Sequence, residues 1–221
     1  MPEKKELPQS VRASAKAKKR ITILKAALTL FSTYGIENVS MEQISEKAEI
    51  GSATIYRYFP TKPELACQAA LLLWQDLEQQ YLPALKTEVY ASLDGKEQLH
   101  TILNLFPAIY KEHTAFLRFL MDFDNYIQSA QIGQDQLTEY EGLIVSLKEY
   151  AEAAIRKGQE DGTISCSSPI SELYFTIFHC MLSTTQKMAL QGNLLPMDLI
   201  VSGEAQLNLL IQLLLAGLST R

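Results

Sequence analysis

The sequence predicts an all-α protein, and three features predict it. Ten Gly and eight Pro in 221 residues leave little material for the many tight turns of a sandwich or barrel. Apolar side chains recur three and four apart over long stretches. Helix-entry signatures, a Ser or Thr followed three residues later by Gln or Glu, stand just ahead of several of those stretches. Hydrophobic residues make up 47% of the chain and charged ones 20%, which excludes disordered, collagen-like and disulfide-scaffold classes. A core can be buried at this length without staples, and Cys67, Cys166 and Cys180, odd in number and without a CxxC pair, are expected to be free thiols.

The N-terminus is charged and polar, with no apolar stretch before a cleavage-like site, so the chain is expected to stay in the cytosol. The longest apolar run, Leu207 to Leu218, is far shorter than a membrane span and is interrupted by Asn208 and Gln212, so no membrane helix is expected. Net charge is -5, unevenly spread. Residues 1–62 carry eleven Lys and Arg against six Glu, and the other 159 residues hold nine cations against nineteen acids. A basic head on an acidic body suits a chain that meets a polyanion at one end only.

Residues 1–19 read as a flexible basic arm. From Ile21 to Tyr34, Ile21, Leu24, Leu28 and Phe31 fall at helical spacing with Lys25 and Thr29 facing away, and Gly35 supplies a left-handed stop. Ser40 and Gln43 form a capping box that opens a short second helix reaching about Ala48, with Met41, Ile44 and Ala48 inward. After Glu49-Ile50-Gly51, the run SATIYRYF predicts a third short helix closed by Pro60, and Thr61 with Glu64 opens a fourth. Helix, short helix, tight turn and short helix under a basic arm is the helix-turn-helix arrangement, whose second short helix enters the DNA major groove. Small residues Ser52, Ala53 and Thr54 let its N-terminus approach bases and phosphates. Ile55 and Phe59 face the core, which leaves Tyr56, Arg57 and Tyr58 outward: two hydroxyls for phosphate oxygens and a guanidinium for phosphate or guanine.

The stretch from Ile23 to Leu65 resembles the DNA-binding domain of the TetR/AcrR family of bacterial transcriptional regulators. The likeness rests on the opening ILxAAxxLF, Gly35, the Ser40 cap, Ile44 and Ala48, and the run TIYRYFPTK. It implies a three-helix DNA-binding domain over 20–65 and a six- or seven-helix effector-binding and dimerisation domain over 66–221. It also implies that Ser40 touches phosphate, that Ser52, Ala53, Thr54, Tyr56, Arg57 and Tyr58 meet DNA, and that Lys62 reaches a phosphate. Three positions depart from the family pattern: Glu49 where Gly is usual, Gly51 where Ser caps the helix, and Ala53 where Gly is common.

Beyond Leu65 the chain reads as helices: about 61–81, 96–110, 114–122, 125–132 and 134–160, then 169–191 behind the Ser168 cap, and 198–218. The long helix from 134 carries Leu137, Tyr140, Ile144, Leu147 and Ala151 on one stripe. Phe106, Tyr110, Phe116, Phe119, Phe123, Tyr126 and Tyr140, with Phe175 and His179, are the candidate lining of an effector pocket, although any one of them singly reads as core. Nearby Asp122, Asp124 and Glu141 would suit a cationic ligand. The last helix is apolar nearly all round and must be covered, either by the chain's own core or, as the resemblance implies, by pairing of the two C-terminal helices with a second copy.

No GxSxG, HExxH, Walker A or glycine-rich fingerprint is present, and His100, His113 and His179 are too scattered for a local metal site, so no catalysis, cofactor or metal is expected. The expected function is a homodimeric regulator, a repressor by the family's habit, released from a palindromic double-stranded DNA operator by a small lipophilic molecule. The alternative is a cytosolic helical binding or enzymatic protein whose basic arm meets a membrane surface or an acidic partner.

Overall fold

A computed structural model describes residues 9–130, 134–191 and 200–218, and no strand occurs among them. The helices are α1 (Gln9–Tyr34), α2 (Met41–Lys47), α3 (Ser52–Tyr58), α4 (Lys62–Tyr81), α5 (Glu88–Ser92), α6 (Gly95–Leu103), α7 (Leu105–Glu112), α8 (Thr114–Ser129), α9 (Gln134–Asp161), α10 (Ile170–Gln191) and α11 (Gly203–Leu218), with a 3-10 turn at Leu82–Lys86. They form two compact units: Met1–Leu72 with Asp122–Leu137, and Leu73–Met121 with Thr138–Arg221. Helices α4 and α8 supply residues to both.

In the first unit α2 packs against α1 and α3. Ile23, Leu24, Ala27 and Phe31 of α1 are buried with Ile36, Val39, Ile44, Ile55, Phe59 and Leu65, and α8 adds Phe123 and Tyr126. Removing this much apolar surface from water is what holds such short helices in place, since a seven-residue helix does not persist alone. Gly35 ends α1 at φ 79, where a Cβ would be strained, and its N–H donates to the Phe31 carbonyl.

The second unit closes around Leu99, Ile102, Leu103, Ala154, Ile155, Ile177, Met181, Leu207 and Ile211, all buried. Helix α10 packs on α7 and α11, and α11 also on α6 and α7. At the start of α6 a Cβ on Gly95 would lie 1.9 Å from the Gly158 nitrogen, so only glycine lets α6 abut α9 there. Asp161 accepts from the Thr163 hydroxyl at 2.6 Å and from the Gly95 N–H at 2.8 Å, which hold its carboxyl below the usual carboxylate range.

The structure corrects several expectations of element extent. The arm is helical from Gln9, so α1 runs through a segment expected to be flexible. Ala, Ser, Lys and Arg favour or tolerate a helix, and the apolar stripe that marks one begins only at residue 21. Helix α8 runs unbroken to Ser129, because the polar Asp122-Phe-Asp-Asn stretch that suggested a break contains no Gly or Pro. The expected helix over 96–110 is instead two, joined at Asn104, because Pro107 has no N–H for the preceding turn. Residues 82–92, left unassigned by periodicity, form the 3-10 turn and α5. The start expected for the last helix, Asp198, lies outside the described residues.

Candidate nucleic-acid interface

Helix α2 is held at its entry by the full capping box: the Ser40 hydroxyl oxygen accepts from the Gln43 N–H at 3.2 Å, and Gln43 Oε1 accepts from the Ser40 N–H at 2.8 Å. Its exit is a Schellman turn, with Ile50 N–H on the Ser45 carbonyl and Glu49 N–H on the Glu46 carbonyl. That turn forces Glu49 into the left-handed region at φ 53. A left-handed residue explains in physical terms why glycine suits this position.

Helix α3 follows behind Gly51, which offers no side-chain cap. Ile55 and the following Phe59 are fully buried, and the opposite face carries exposed Ser52, Ala53 and Arg57, with Tyr56 44% exposed. Thr54 and Tyr58 are half-buried, so Tyr58 is less outward than its neighbours. The Arg57 guanidinium makes a loose approach to the Tyr58 ring at 5.9 Å. The Tyr56 hydroxyl donates to Glu42 Oε1 at 3.0 Å, which raises the phenol's pKa. The Glu42 carboxyl is lowered in turn by its own backbone N–H first, then by the Tyr56 and Ser40 hydroxyls. Glu42 thereby orients Tyr56, a role that the reading of the sequence missed. Its position in the first turn of α2 marked it only as a helix-dipole partner.

Lys62 does not stand free at the protein surface. Its Nζ donates to the carbonyls of Ile36 at 2.8 Å, Glu37 at 3.0 Å and Val39 at 3.0 Å, and it lies 5.4 Å from the Tyr126 ring centroid. An ammonium has three protons, and here each has a carbonyl. Desolvation lowers the Lys62 pKa against the opposing pull of Glu37 and Asp122. Asp122 of α8 completes the arrangement by accepting from the Ile36 N–H at 2.7 Å, and the Ser129 hydroxyl donates to Glu37 at 2.9 Å. The loop between α1 and α2 is thus tied to α4 by Lys62 and to the second half of α8 by Asp122 and Ser129.

The aromatic residues expected around an effector are divided between the units. Phe123 and Tyr126 are buried in the first. In the second, Phe106, Phe116 and Phe119 are buried and Tyr110 is half-buried. Phe116 meets Trp74 edge-on at 5.0 Å and Phe106 meets Phe178 at 5.4 Å. Phe175 and His179 lie on the exposed face of α10, their rings 5.8 Å apart. The side chain of Tyr140 is outside the described residues. His113, set against Tyr81, has a buried Nε2 without a hydrogen-bond partner. Among the described residues no cluster of His, Cys, Asp and Glu could hold a metal ion, and no helix is long and apolar enough to cross a membrane.

Residues 23–69 match the family model described as bacterial regulatory proteins, tetR family. An uncharacterized HTH-type transcriptional regulator, YhgD of Bacillus subtilis (strain 168), is 26% identical over 151 residues, 66% of this chain and 72% of that protein. The HTH-type transcriptional repressor KstR of Rhodococcus jostii (strain RHA1) is 40% identical over 57 residues, 26% of this chain and 27% of that one. Among solved structures, the transcriptional regulator FadR of Bacillus subtilis in complex with stearoyl-CoA has a TM-score of 0.67 at 16% identity, over 89% of this chain and 98% of that one. A transcriptional regulator of Saccharomonospora viridis in complex with choline has a TM-score of 0.71 at 17% identity, over 93% and 100%. These likenesses extend the shared fold across both units.

Proposed function

We propose that the chain, whose residues 23–69 match the model of the tetR family of bacterial regulatory proteins, is a DNA-binding transcriptional regulator of that family and acts as a homodimeric repressor of an inverted-repeat operator, released by a small molecule with a large apolar part. The observation that carries this is the division of α3 into two faces: Ile55 and Phe59 anchor it, and Tyr56 and Arg57 stand outward with Ser52 and Ala53 at its open end. A helix held this way can enter a major groove without giving up its own core. Arg57 pairs with a phosphate or a guanine edge, and Tyr56, whose hydroxyl carries one proton, exchanges its Glu42 acceptor for a phosphate oxygen when DNA is bound. Lys62 acts as a positioning residue that fixes the loop preceding α2.

The second copy is argued from α11. Leu207, Ile211, Leu215 and Leu218 are buried within one protomer, whereas Leu209 and Leu213 on the other side are 55% and 62% exposed. Two large apolar side chains four residues apart, on a helix that is apolar overall, call for a cover, and an identical helix related by a two-fold axis supplies one. Phe175, 46% exposed on α10, belongs with that surface, as does His179 beside it. The effector reading is therefore confined to Phe106, Tyr110, Phe116 and Phe119. The unpartnered His113 Nε2 is the polar group a ligand would satisfy. The stearoyl-CoA and choline bound by the two regulators of like fold support an effector with a long apolar or a cationic portion without choosing between them.

Selection from a random duplex pool tests the reading. The expected product is an inverted repeat whose half-sites are centred about 34 Å apart, one turn of B-DNA. An unenriched pool overturns it.

A further inference from the structure

We propose that the first three turns of α1, residues 9–20, form a second DNA-binding surface, which lies along the phosphates flanking the operator and adds affinity without reading sequence. This rests on the reading of α3 above. Helix α1 contains six Lys and Arg and no Asp or Glu. Five of them, Arg12, Lys16, Lys18, Lys19 and Arg20, fall within residues 9–20. Lys16, Lys18 and Lys19 are exposed, and among the described residues no ion pair reaches them.

Such a helix is unfavourable on its own. Lys16 and Arg20 stand at the four-residue spacing where like charges repel, and the first turn holds no acid to offset the positive end of the helix dipole. A polyanion removes both penalties and releases counterions from its own phosphates.

The base of the extension is fixed to the reading helix. The Arg20 guanidinium lies 4.6 Å from the ring centroid of Phe59, the residue that ends α3, and donates to Gln68 Oε1 of α4 at 2.8 Å. One turn back, Lys16 sits on the same helix face as Arg20. Eleven residues of helix reach about 17 Å beyond Arg20, close to five base-pair steps of duplex. The residues between the cations are Ala and Ser, which provide no broad apolar face for a bilayer, and this favours nucleic acid over a membrane surface.

The test uses the full chain and its Lys16→Ala/Lys18→Ala/Lys19→Ala variant; alanine at exposed helical positions preserves the helix. Each binds the selected operator in two forms, one embedded in long flanking duplex and one trimmed to the repeat. On the long duplex the variant dimer, which loses three lysines on each of two arms, should show a log K against log salt slope shallower by about 5.4, or about 0.9 for each lost phosphate contact. Its affinity loss between 50 and 200 mM salt is then smaller by roughly 2,000-fold. On the trimmed duplex the two proteins should coincide, and both should select the same repeat. Equal slopes on the long duplex overturn the proposal. So does a variant that loses binding to anionic vesicles while its DNA slope is unchanged. If selection returns no repeat at all, the reading of α3 fails and this proposal falls with it, whereas a repeat bound with equal slopes condemns the arm alone.

Discussion

Lys62 illustrates how a side chain's partners decide its role. The family pattern assigns such a lysine to a phosphate, but here its three protons lie on the Ile36, Glu37 and Val39 carbonyls. Lys62→Met keeps the stem and removes the donors, and is expected to lower unfolding free energy by about 1–3 kcal/mol in denaturant titration. Its salt slope on DNA should match wild type, whereas a phosphate contact would show as a slope shallower by about 0.9 per protomer. Glu49 tests a different principle. Its φ of 53 costs an L-residue energy that glycine does not incur, so Glu49→Gly should raise the denaturation midpoint, corresponding to about 1 kcal/mol. The departure was legible in the sequence as an acid where glycine is usual, but the strain was not, because it depends on the Schellman turn that Ser45 and Glu46 close.

Among the elements, α8 carries the most consequence. Asp122 accepts from the Ile36 N–H, so the second half of α8 grips the loop that orients α2 and, through packing, α3. Asp122→Ala leaves the Ile36 N–H without its acceptor, with an expected stability loss of about 1–3 kcal/mol and weakened operator binding in the same preparation. Unaltered operator affinity with the stability loss present would show that the Asp122 contact does not position α2 and α3 for DNA. Helices α1 to α4 were legible in the sequence because Gly35, the Ser40 box and Thr61 punctuate them, and the structure has Thr61 Oγ1 accepting from the Glu64 N–H at 3.3 Å. The α6–α7 joint was not, because its apolar residues keep helical spacing across Asn104 and only Pro107 marks the interruption. The outward placement of Phe175 and His179 was equally hidden, since α10 is apolar on several sides and periodicity alone could not choose which side is covered.

At the scale of the whole molecule the charge division, basic over residues 1–62 and acidic beyond, was readable by counting and agrees with a protein that approaches DNA at one end. The proposed pairing of two copies adds what counting cannot supply, a second reading helix at fixed spacing. Leu209→Glu/Leu213→Glu places carboxylates in the proposed interface. It should give a monomer in sedimentation equilibrium that binds a single half-site far more weakly than the dimer binds the repeat; a variant that remains dimeric would move the interface elsewhere. Operator recognition depends on the outward face of α3 meeting DNA, and Arg57→Ala addresses that directly, because an exposed residue can be truncated without disturbing the core. In a titration against the selected operator the variant should bind more weakly by about 1–3 kcal/mol, roughly 5- to 150-fold, with its thermal unfolding unchanged. Operator affinity equal to wild type would contradict the account.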